Sequence, residues 1–216
     1  MLDVANTLLL VPTEAERRVL AGNADWPAFE RHVHLCGFGP AAAAAHAATL
    51  IARLQPRRVV LLGIAGTYHP QKLPVGEAAV FSRVSIDGIG AGEGNEFLSA
   101  SELGFPHWGA SPSQPTPADD QIVLDVPDGE PDGERLLTVC SASAGVEAAQ
   151  RRAALFDDAT AEDMEAYGVA LACRLAEVSL TVVRGISNLA GNRDIAHWHI
   201  DAALESAWHV CRRFLG

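Results

Sequence analysis

The sequence predicts an α/β sandwich built around a mostly parallel or mixed β-sheet. Three observations predict it: apolar runs alternate with helical segments, glycine and proline mark the junctions, and the last two helical segments carry apolar stripes. The chain has 216 residues, of which 49% are hydrophobic and 20% charged, a balance that is ordinary for a globular protein. This length suits one domain, residues 1–216, with one large core.

The first half of the chain contains three apolar runs with strand character. The runs are 7–11, 31–36 and 59–62. A helix start follows the first run at Thr13, and Pro40 occupies the first position of an alanine-rich helix that stops before Pro56. The third run is predicted as a buried strand that ends in Gly63-Ile64-Ala65-Gly66.

The second half contains three more strand-like runs and two amphipathic helices. The runs are 78–86, which alternates in polarity, 136–139 and 180–183. The apolar stripes of the helices are Gly168, Leu171, Ala172 and Leu175 in the first, and Leu204, Ala207, Trp208, Cys211 and Leu215 in the second. Strands and helices therefore alternate to the end of the chain, as an α/β sandwich requires.

Residues 109–135 are predicted as a long surface loop inserted into the domain. The segment holds prolines at 112, 115, 117, 127 and 131 among acidic and small residues, and only 121–126 could pair as a strand. A loop of this length could be a lid or a partner contact. An insertion with no role accounts for the composition equally well.

Composition and charge exclude several classes of partner. The net charge is −11, the only lysine is Lys72 and the arginines are scattered, so no face is predicted that could follow a nucleic acid. No apolar stretch is long enough for a bilayer and the N-terminus lacks a basic secretory region, so no membrane partner is predicted. The cysteines lie in apolar runs without a CxxC pair, which predicts reduced core thiols in a cytoplasmic protein. They are Cys36, Cys140, Cys173 and Cys211.

Two glycine-containing turns are candidate ligand sites. Gly37-Phe38-Gly39-Pro40-Ala41-Ala42 matches the GxGxxA pattern of dinucleotide-binding folds, but those folds need an acid after the next strand. Because no acid occurs between Ala41 and Gly76, we reject a nicotinamide site and predict a tight strand-to-helix turn. Gly63-Ile64-Ala65-Gly66 would let a ligand lie against the backbone, and close packing of the turn explains it equally well.

Glu16 and a pair of histidines are candidates with strong structural alternatives. Thr13-x-x-Glu16 is a capping box, in which Glu16 bonds back to the backbone of Thr13, and on these residues alone that interpretation is favoured. His197-Trp198-His199 could suggest a metal, but no further His or Cys cluster supplies a third ligand. The sequence therefore predicts no metal site, and Trp198 is predicted to pack in the core or on a pocket wall.

The most informative segments lie near the end of the chain. They are Asp163-Met164-Glu165-Ala166-Tyr167-Gly168 and Arg184-Gly185-Ile186-Ser187-Asn188. Glu165 lies near a helix start, and Asn188 ends an apolar strand, where side chains meet ligands in α/β sheets. Taken singly, Glu165 would be a solvated helix acid and Asn188 a turn residue.

Taken together, these segments resemble the nucleoside phosphorylase/nucleosidase superfamily. The matching landmarks occur in the same order: the loop with Glu16, the turns at Gly37 and Gly63, then the two segments that contain Glu165 and Asn188. The last two resemble the Glu-Met-Glu and Arg-x-Ile-Ser-Asp/Asn signatures of that superfamily. Two further stretches resemble the futalosine hydrolases within it. They are Gly90-Ala91-Gly92-Glu93-Gly94-Asn95-Glu96-Phe97 with Glu102-Leu103-Gly104, and Gly191-Asn192-Arg193-Asp194 with Trp198 and Ile200.

The resemblance departs from the pattern at two positions. Asp163 replaces the first Glu of the Glu-Met-Glu signature, and Tyr167 stands where the superfamily has small residues. A side chain as large as that of Tyr167 could fill space near the ribose.

The resemblance implies a fold and a set of roles. It implies a three-layer α/β/α sandwich around a mixed, mostly parallel sheet, a homo-oligomer, a purine nucleoside as ligand, and no metal or organic cofactor. Glu165 would accept hydrogen bonds from the ribose hydroxyls and Glu16 would activate water. Met164 would pack against the sugar. Asn188 would face the edge of the purine, held in place by Ser187 and Arg184. The backbone of Ala65 and Gly66 would contact the base or the nucleophile.

The first loop distinguishes hydrolysis from phosphorolysis. Phosphorylases of this superfamily have a glycine-rich, arginine-bearing turn there, whereas this chain has Pro12-Thr13-Glu14-Ala15-Glu16, whose carboxylates repel phosphate. The resemblance thus implies cleavage of futalosine to hypoxanthine and dehypoxanthinyl futalosine in menaquinone biosynthesis. The alternatives are a methylthioadenosine/adenosylhomocysteine-type nucleosidase, a purine nucleoside phosphorylase, and a purine-binding module without activity.

Overall fold

The computed structural model describes residues 4–110, 117–130 and 134–215. The strands are β1 (Thr7–Val11), β2 (Val33–Leu35), β3 (Arg58–Thr67), β4 (Ala78–Phe81), β5 (Arg83–Asp87), β6 (Gly90–Ala91), β7 (Leu98–Ser99), β8 (Gln121–Val123), β9 (Arg135–Val139), β10 (Ala159–Asp163) and β11 (Ser179–Leu189). The helices are α1 (Glu14–Leu20), α2 (Pro40–Leu54), α3 (Val146–Leu155), α4 (Ala166–Leu175) and α5 (Ile200–Phe214).

Nine of these strands form one mixed sheet, in which β3 is central. The strand order is β2-β1-β3-β10-β9-β5-β8, and β11 lies between β3 and β4. The first part of β3 pairs in parallel with β1, its last residues Gly66 and Thr67 pair antiparallel with β10, and β11 follows its whole length in parallel. Parallel pairings outnumber antiparallel ones, which confirms the predicted mixed, mostly parallel sheet.

Helices cover both faces of the sheet, which confirms the three-layer α/β/α sandwich. Val59 and Leu61 of β3 face α2 and α4, while Val60 and Leu62 face α1 and α5. Successive strand residues point to opposite faces, so a strand buried on both sides is apolar throughout, as β3 is over these residues. The predicted stripe of α5 is buried, whereas Leu175 of the α4 stripe is 43% exposed.

Several strand boundaries differ from those predicted. β3 does not end at Gly63 but continues to Thr67, because β11 pairs with it along its whole length. A Cβ atom at position 63 would overlap Nη1 of Arg184, so glycine is required there. The run 78–86 divides at Ser82 into β4 and β5, which pair with different neighbours. The sequence reasoning missed β10, because two of its five residues are acids where a buried strand ordinarily has apolar residues.

The described part of the proline-rich segment is attached to the sheet and to α4. Of the predicted strand 121–126, residues Gln121–Val123 form β8 and pair antiparallel with β5. The hydroxyl of Tyr167 donates to the backbone carbonyl of Asp119. Residues 111–116 and 131–133, with three of the five prolines, lie outside the described residues.

Three of the four cysteines lie in the core, as predicted. Cys36, Cys173 and Cys211 are buried, but Cys140 is exposed, because it follows the last residue of β9 where the chain leaves the sheet. Among the described helices, none has both the length and the apolar content needed to cross a bilayer.

A close contact between β11 and α5 generates a stability prediction. A Cβ atom at Gly185 would overlap the backbone carbonyl of Ala203, which cannot rotate away. Gly185→Ala should therefore lower the free energy of unfolding by about 1–3 kcal/mol or more, measured by chemical denaturation. Gly109→Ala is the control, because Gly109 faces open space, and it should change stability by less than about 0.5 kcal/mol. Equal stability of the two variants would contradict the contact.

Candidate active site

The predicted site residues meet in one cavity. It has a volume of about 410 Å³ and lies where β1, β3, β10 and β11 end. Seven of the eight predicted residues line it: Glu16, Ala65, Gly66, Met164, Glu165, Ser187 and Asn188. Another cavity, of about 380 Å³ beside the end of α4, contains none of them. In the described chain, no group of three or more His, Cys, Asp or Glu side chains is arranged to hold a metal.

Glu16 forms the predicted capping box and also faces the cavity. Its Oε2 atom accepts hydrogen bonds from the backbone N–H and the hydroxyl of Thr13, at 3.0 and 2.6 Å. Its Oε1 atom accepts one from the backbone N–H of Ile64 at 3.1 Å. A carboxylate oxygen has two lone-pair directions, so Oε1 retains one for a further donor. The capping interpretation is confirmed, and the cap holds the carboxylate on the cavity wall, where it is only 6% exposed.

Arg184 lies behind the cavity wall instead of lining the cavity. It is fully buried, and its Nε and Nη2 atoms donate to Oδ2 of Asp163 at 3.1 and 2.5 Å. Nη2 also lies 3.4 Å from Oε2 of Glu165. Asp163 in turn accepts hydrogen bonds from Thr138 and from the backbone N–H of Ala166. Arg184 therefore acts on the cavity through the acids that it holds.

Glu165 is a buried carboxyl group with an altered pKa. It is the N-cap residue of α4, and its Oε1 atom accepts a hydrogen bond from the backbone N–H of Gly39 at 3.2 Å. Burial raises the pKa of Glu165 from 4.5 to about 7, and the neighbouring acids Asp163 and Glu16 act in the same direction. Arg184 and the Gly39 N–H oppose the shift of this pKa.

The floor of the cavity is Gly66, with a polar residue on each side. In the sheet register, Gly66 pairs with Glu162 of β10 and with Asn188 of β11. The amide of Asn188 is oriented by Ser187, whose hydroxyl donates to Oδ1 at 2.7 Å. Its Nδ2 atom donates to backbone carbonyls at 2.8 and 3.4 Å, and the longer bond goes to Asn192. A carboxylate and an amide thus lie on opposite sides of the floor.

Sequence reasoning missed Glu162. Its carboxylate is buried and accepts hydrogen bonds from the Tyr68 hydroxyl at 2.8 Å and from the N–H and hydroxyl of Ser143 at 2.9 and 2.6 Å. Arg152 lies 3.6 Å away. The sequence did contain a signal, because Glu162 and Asp163 are two consecutive acids directly before Met164. Acids buried in a strand need polar partners, which indicates a functional or structural site.

Tyr167 does not line the cavity, contrary to the expectation that its side chain could fill space near a bound ribose. Its side chain is buried in the core, its ring centroid lies 5.2 Å from that of His107, and its hydroxyl donates to the backbone carbonyl of Asp119. Met164 does line the cavity, beside Val139. The mouth of the cavity is lined by Phe38, Arg193, Trp198 and Ile200. Trp198 was predicted to pack in the core or on a pocket wall, and it lies on the wall.

Comparison with known proteins shows what the chain resembles. The family described as the phosphorylase superfamily matches residues 11–215. A futalosine hydrolase of Streptomyces coelicolor is 36% identical over 176 residues, which cover 78% of this chain and 71% of that protein.

Solved structures have the same fold. A 5′-methylthioadenosine/S-adenosylhomocysteine nucleosidase of Colwellia psychrerythraea in complex with adenine matches with a TM-score of 0.70 at 19% identity, over 95% of this chain and 92% of that one. A futalosine hydrolase of Helicobacter pylori matches with a TM-score of 0.70 at 15% identity, over 95% of both chains.

The raised pKa of Glu165 predicts a pH-dependent stability. A carboxyl group whose folded pKa is raised stabilises the folded state below its unfolded pKa, and this contribution is lost as the pH rises through the folded pKa. The shift from 4.5 to about 7 corresponds to on the order of 3 kcal/mol. Relative to Glu165→Gln, the wild type should therefore lose stability between pH 4.5 and 8, measured by urea unfolding. A difference that is the same at both pH values would contradict the shift.

Proposed function

Because the chain belongs to the phosphorylase superfamily, we propose that it hydrolyses the N-glycosidic bond of a 6-oxopurine nucleoside, with futalosine as the substrate. The products are hypoxanthine and dehypoxanthinyl futalosine, in menaquinone biosynthesis. One observation carries the proposal: the buried carboxyl groups of Glu16 and Glu165 face a single cavity whose floor is flanked by Asn188.

Two carboxyl groups suit the charge that develops on the sugar. Cleavage of a purine N-glycosidic bond places positive charge on the ribose and negative charge on the base, and a catalyst stabilises both. Glu165 in its ionised form accepts hydrogen bonds from the ribose hydroxyls and stabilises the positive centre, while Met164 packs against the sugar. Glu16 takes a proton from water through the free lone pair of Oε1 as the water attacks C1′.

The charges near the sugar favour water over phosphate as the nucleophile. Three acids, Glu16, Asp163 and Glu165, lie around the single guanidinium of Arg184. Arg17 and Arg18, which follow Glu16, do not line the cavity, because both pair with Glu14. A phosphate dianion would therefore meet excess negative charge at this end of the cavity.

The residues beside Gly66 suit hypoxanthine. Nδ2 of Asn188 keeps one hydrogen on the Leu189 carbonyl. The base replaces its longer bond, the one to the Asn192 carbonyl, and the hydrogen released there is shared between N7 and O6. Glu162, on the other side of the floor, accepts the N1–H that a 6-oxopurine has. Adenine carries a lone pair at N1 and a donor at position six. Glu162 would then face a lone pair, and Asn188 would keep only its bond to N7.

The assembly and location of the protein belong to the same proposal. A homo-oligomer is supported by exposed apolar side chains in the segment 89–108, since clustered apolar surface marks contact sites. They are Ile89, Leu98, Leu103, Phe105 and Trp108. A cytoplasmic location is supported by the free thiols at all four cysteines.

Phosphate-independent release of base tests the proposed function. Wild-type protein in phosphate-free buffer should release hypoxanthine from futalosine and leave a free reducing sugar, measured by chromatography. It should also prefer the hypoxanthine nucleoside to the adenine nucleoside with the same 5′ group, in kcat/KM. A sugar 1-phosphate product would contradict hydrolysis. Equal turnover of the adenine compound would contradict the base assignment.

Glu16→Gln tests the water-activating role. The amide keeps an oxygen that can accept one capping bond but cannot take a proton, so kcat should fall about a hundredfold or more. The loss of stability should stay near 1 kcal/mol. Glu14→Gln is the matched control, because it removes a carboxylate from the same turn outside the cavity, and it should leave kcat unchanged. Retention of kcat in Glu16→Gln would leave the residue with a capping role alone.

A further inference from the structure

Glu162 offers the cavity a single open acceptor position. Each carboxylate oxygen has two lone-pair directions. Oε2 of Glu162 accepts from the Tyr68 hydroxyl at 2.8 Å and from the Ser143 hydroxyl at 2.6 Å, which fills both of its directions. Oε1 accepts from the backbone N–H of Ser143 at 2.9 Å. Among the described residues no further hydrogen bond reaches Oε1, so it keeps one direction open.

The filled oxygen lies behind the cavity wall. Glu162 lines the cavity, but the residues around Oε2, which are Tyr68, Ser143 and Arg152, do not. Arg152 belongs to α3, and its Nη1 atom lies 3.6 Å from Oε2. The position that remains for a ligand in the cavity is therefore the open one of Oε1.

The surrounding network fixes the direction of each hydrogen bond. Arg152 Nη1 donates to Oγ of Ser143 at 2.9 Å, so the single proton of that hydroxyl points to Glu162. Arg152 is itself held by Asp87, whose Oδ2 atom accepts from Nε at 2.8 Å. Burial and the adjacent Glu162 carboxylate raise the pKa of Tyr68 above its usual range, so the phenol keeps the proton that it donates. Both positions of Oε2 therefore stay occupied.

A single open acceptor distinguishes two classes of 6-oxopurine. Hypoxanthine has one donor at this edge, the N1–H, and a C–H group at position two. Guanine has two adjacent donors, the N1–H and the 2-amino group, which a free carboxylate could accept through both of its oxygens. Because Oε2 of Glu162 is filled, the 2-amino group of guanine would be buried without an acceptor, and this weakens binding.

We propose that Tyr68 and Ser143 restrict the base site to 6-oxopurines without a 2-amino group, by occupying Oε2 of Glu162. The inference rests on the proposed function, which places the base on Gly66 between Asn188 and Glu162. Tyr68 and Ser143 are positioning residues, because they act on the base through Glu162. Hypoxanthine nucleosides are accepted, and guanine nucleosides are rejected because their amino group finds no acceptor.

The test compares two ligands that differ only in the 2-amino group. They are the carbocyclic analogues of inosine and guanosine, in which a CH2 group replaces the ring oxygen, so the oxygen-stabilised cation needed for hydrolysis cannot form. Dissociation constants are measured by calorimetry for wild type, Tyr68→Phe and Ser143→Ala. Tyr167→Phe is the matched control, because it removes the other tyrosine hydroxyl of the chain, which donates to the Asp119 carbonyl and lies outside the cavity.

The expected result is a change in the ratio of the two dissociation constants. Wild type should bind the inosine analogue about 10- to 100-fold more tightly, since a buried donor of the guanosine analogue stays unpaired. Tyr68→Phe and Ser143→Ala each open one position of Oε2, and the carboxyl group can turn about its terminal torsion toward the cavity. The ratio should therefore fall about fivefold or more in both variants, and Tyr167→Phe should keep the wild-type ratio.

Three outcomes would overturn the inference. They are equal binding of the two analogues by wild type, a ratio that Tyr68→Phe and Ser143→Ala both leave unchanged, and an equal change of the ratio in Tyr167→Phe. Weaker binding of both analogues at a constant ratio belongs to the second outcome and would leave the two hydroxyls with a structural role. Absence of futalosine hydrolysis, with the ratio and its response to the variants intact, would instead overturn the proposed function alone.

Discussion

The buried ion pair between Arg184 and Asp163 is the interaction on which the rest of the site depends. It joins β11 to the end of β10, and the contact of Arg184 with Glu165 extends it to the N-cap of α4. A fully buried guanidinium needs such partners, and removal of one partner from a buried pair costs about 3–5 kcal/mol. The pair also fixes the identity of Gly63, since the guanidinium occupies the space of a side chain there. Sheet, helix start and cavity wall are therefore set by the same contact.

Local patterns predicted the elements that local chemistry determines. The strand Thr7–Val11 and the helix that begins at Pro40 and ends before Pro56 match the structure, because apolar periodicity, a proline and the residues after the helix set them. Predictions were wrong where distant residues decide. The ends of β3 and β11 extend past the predicted runs because the two strands pair along their whole length, including the glycines that were predicted as a turn. No local pattern contains that pairing.

The site, like the fold, was predictable where local residues determine it and not where distant residues do. The family resemblance selected seven residues that do line one cavity, although each has a structural explanation when taken singly. Glu16 illustrates the reason: the cap and the cavity were treated as competing roles, but the structure divides them between the two oxygens of one carboxylate. The hydrogen bond to the second oxygen, Oε1, comes from the backbone N–H of Ile64, which is 48 residues away. Glu162 escaped notice because its partners Tyr68 and Ser143 come from two other segments.

The distribution of charge along the cavity has a consequence for inhibitor chemistry. Carboxyl groups line the interior of the cavity, where we propose that the sugar binds, whereas Arg193 lies at the mouth. A neutral nucleoside analogue leaves both ends without a complementary charge. A compound with a protonated amine in place of the ribose ring and an acidic group on its 5′ arm would complement both, and would resemble the cationic species formed during bond cleavage. The cavity thus favours a zwitterionic inhibitor, in which an apolar spacer separates the positive centre from the negative one.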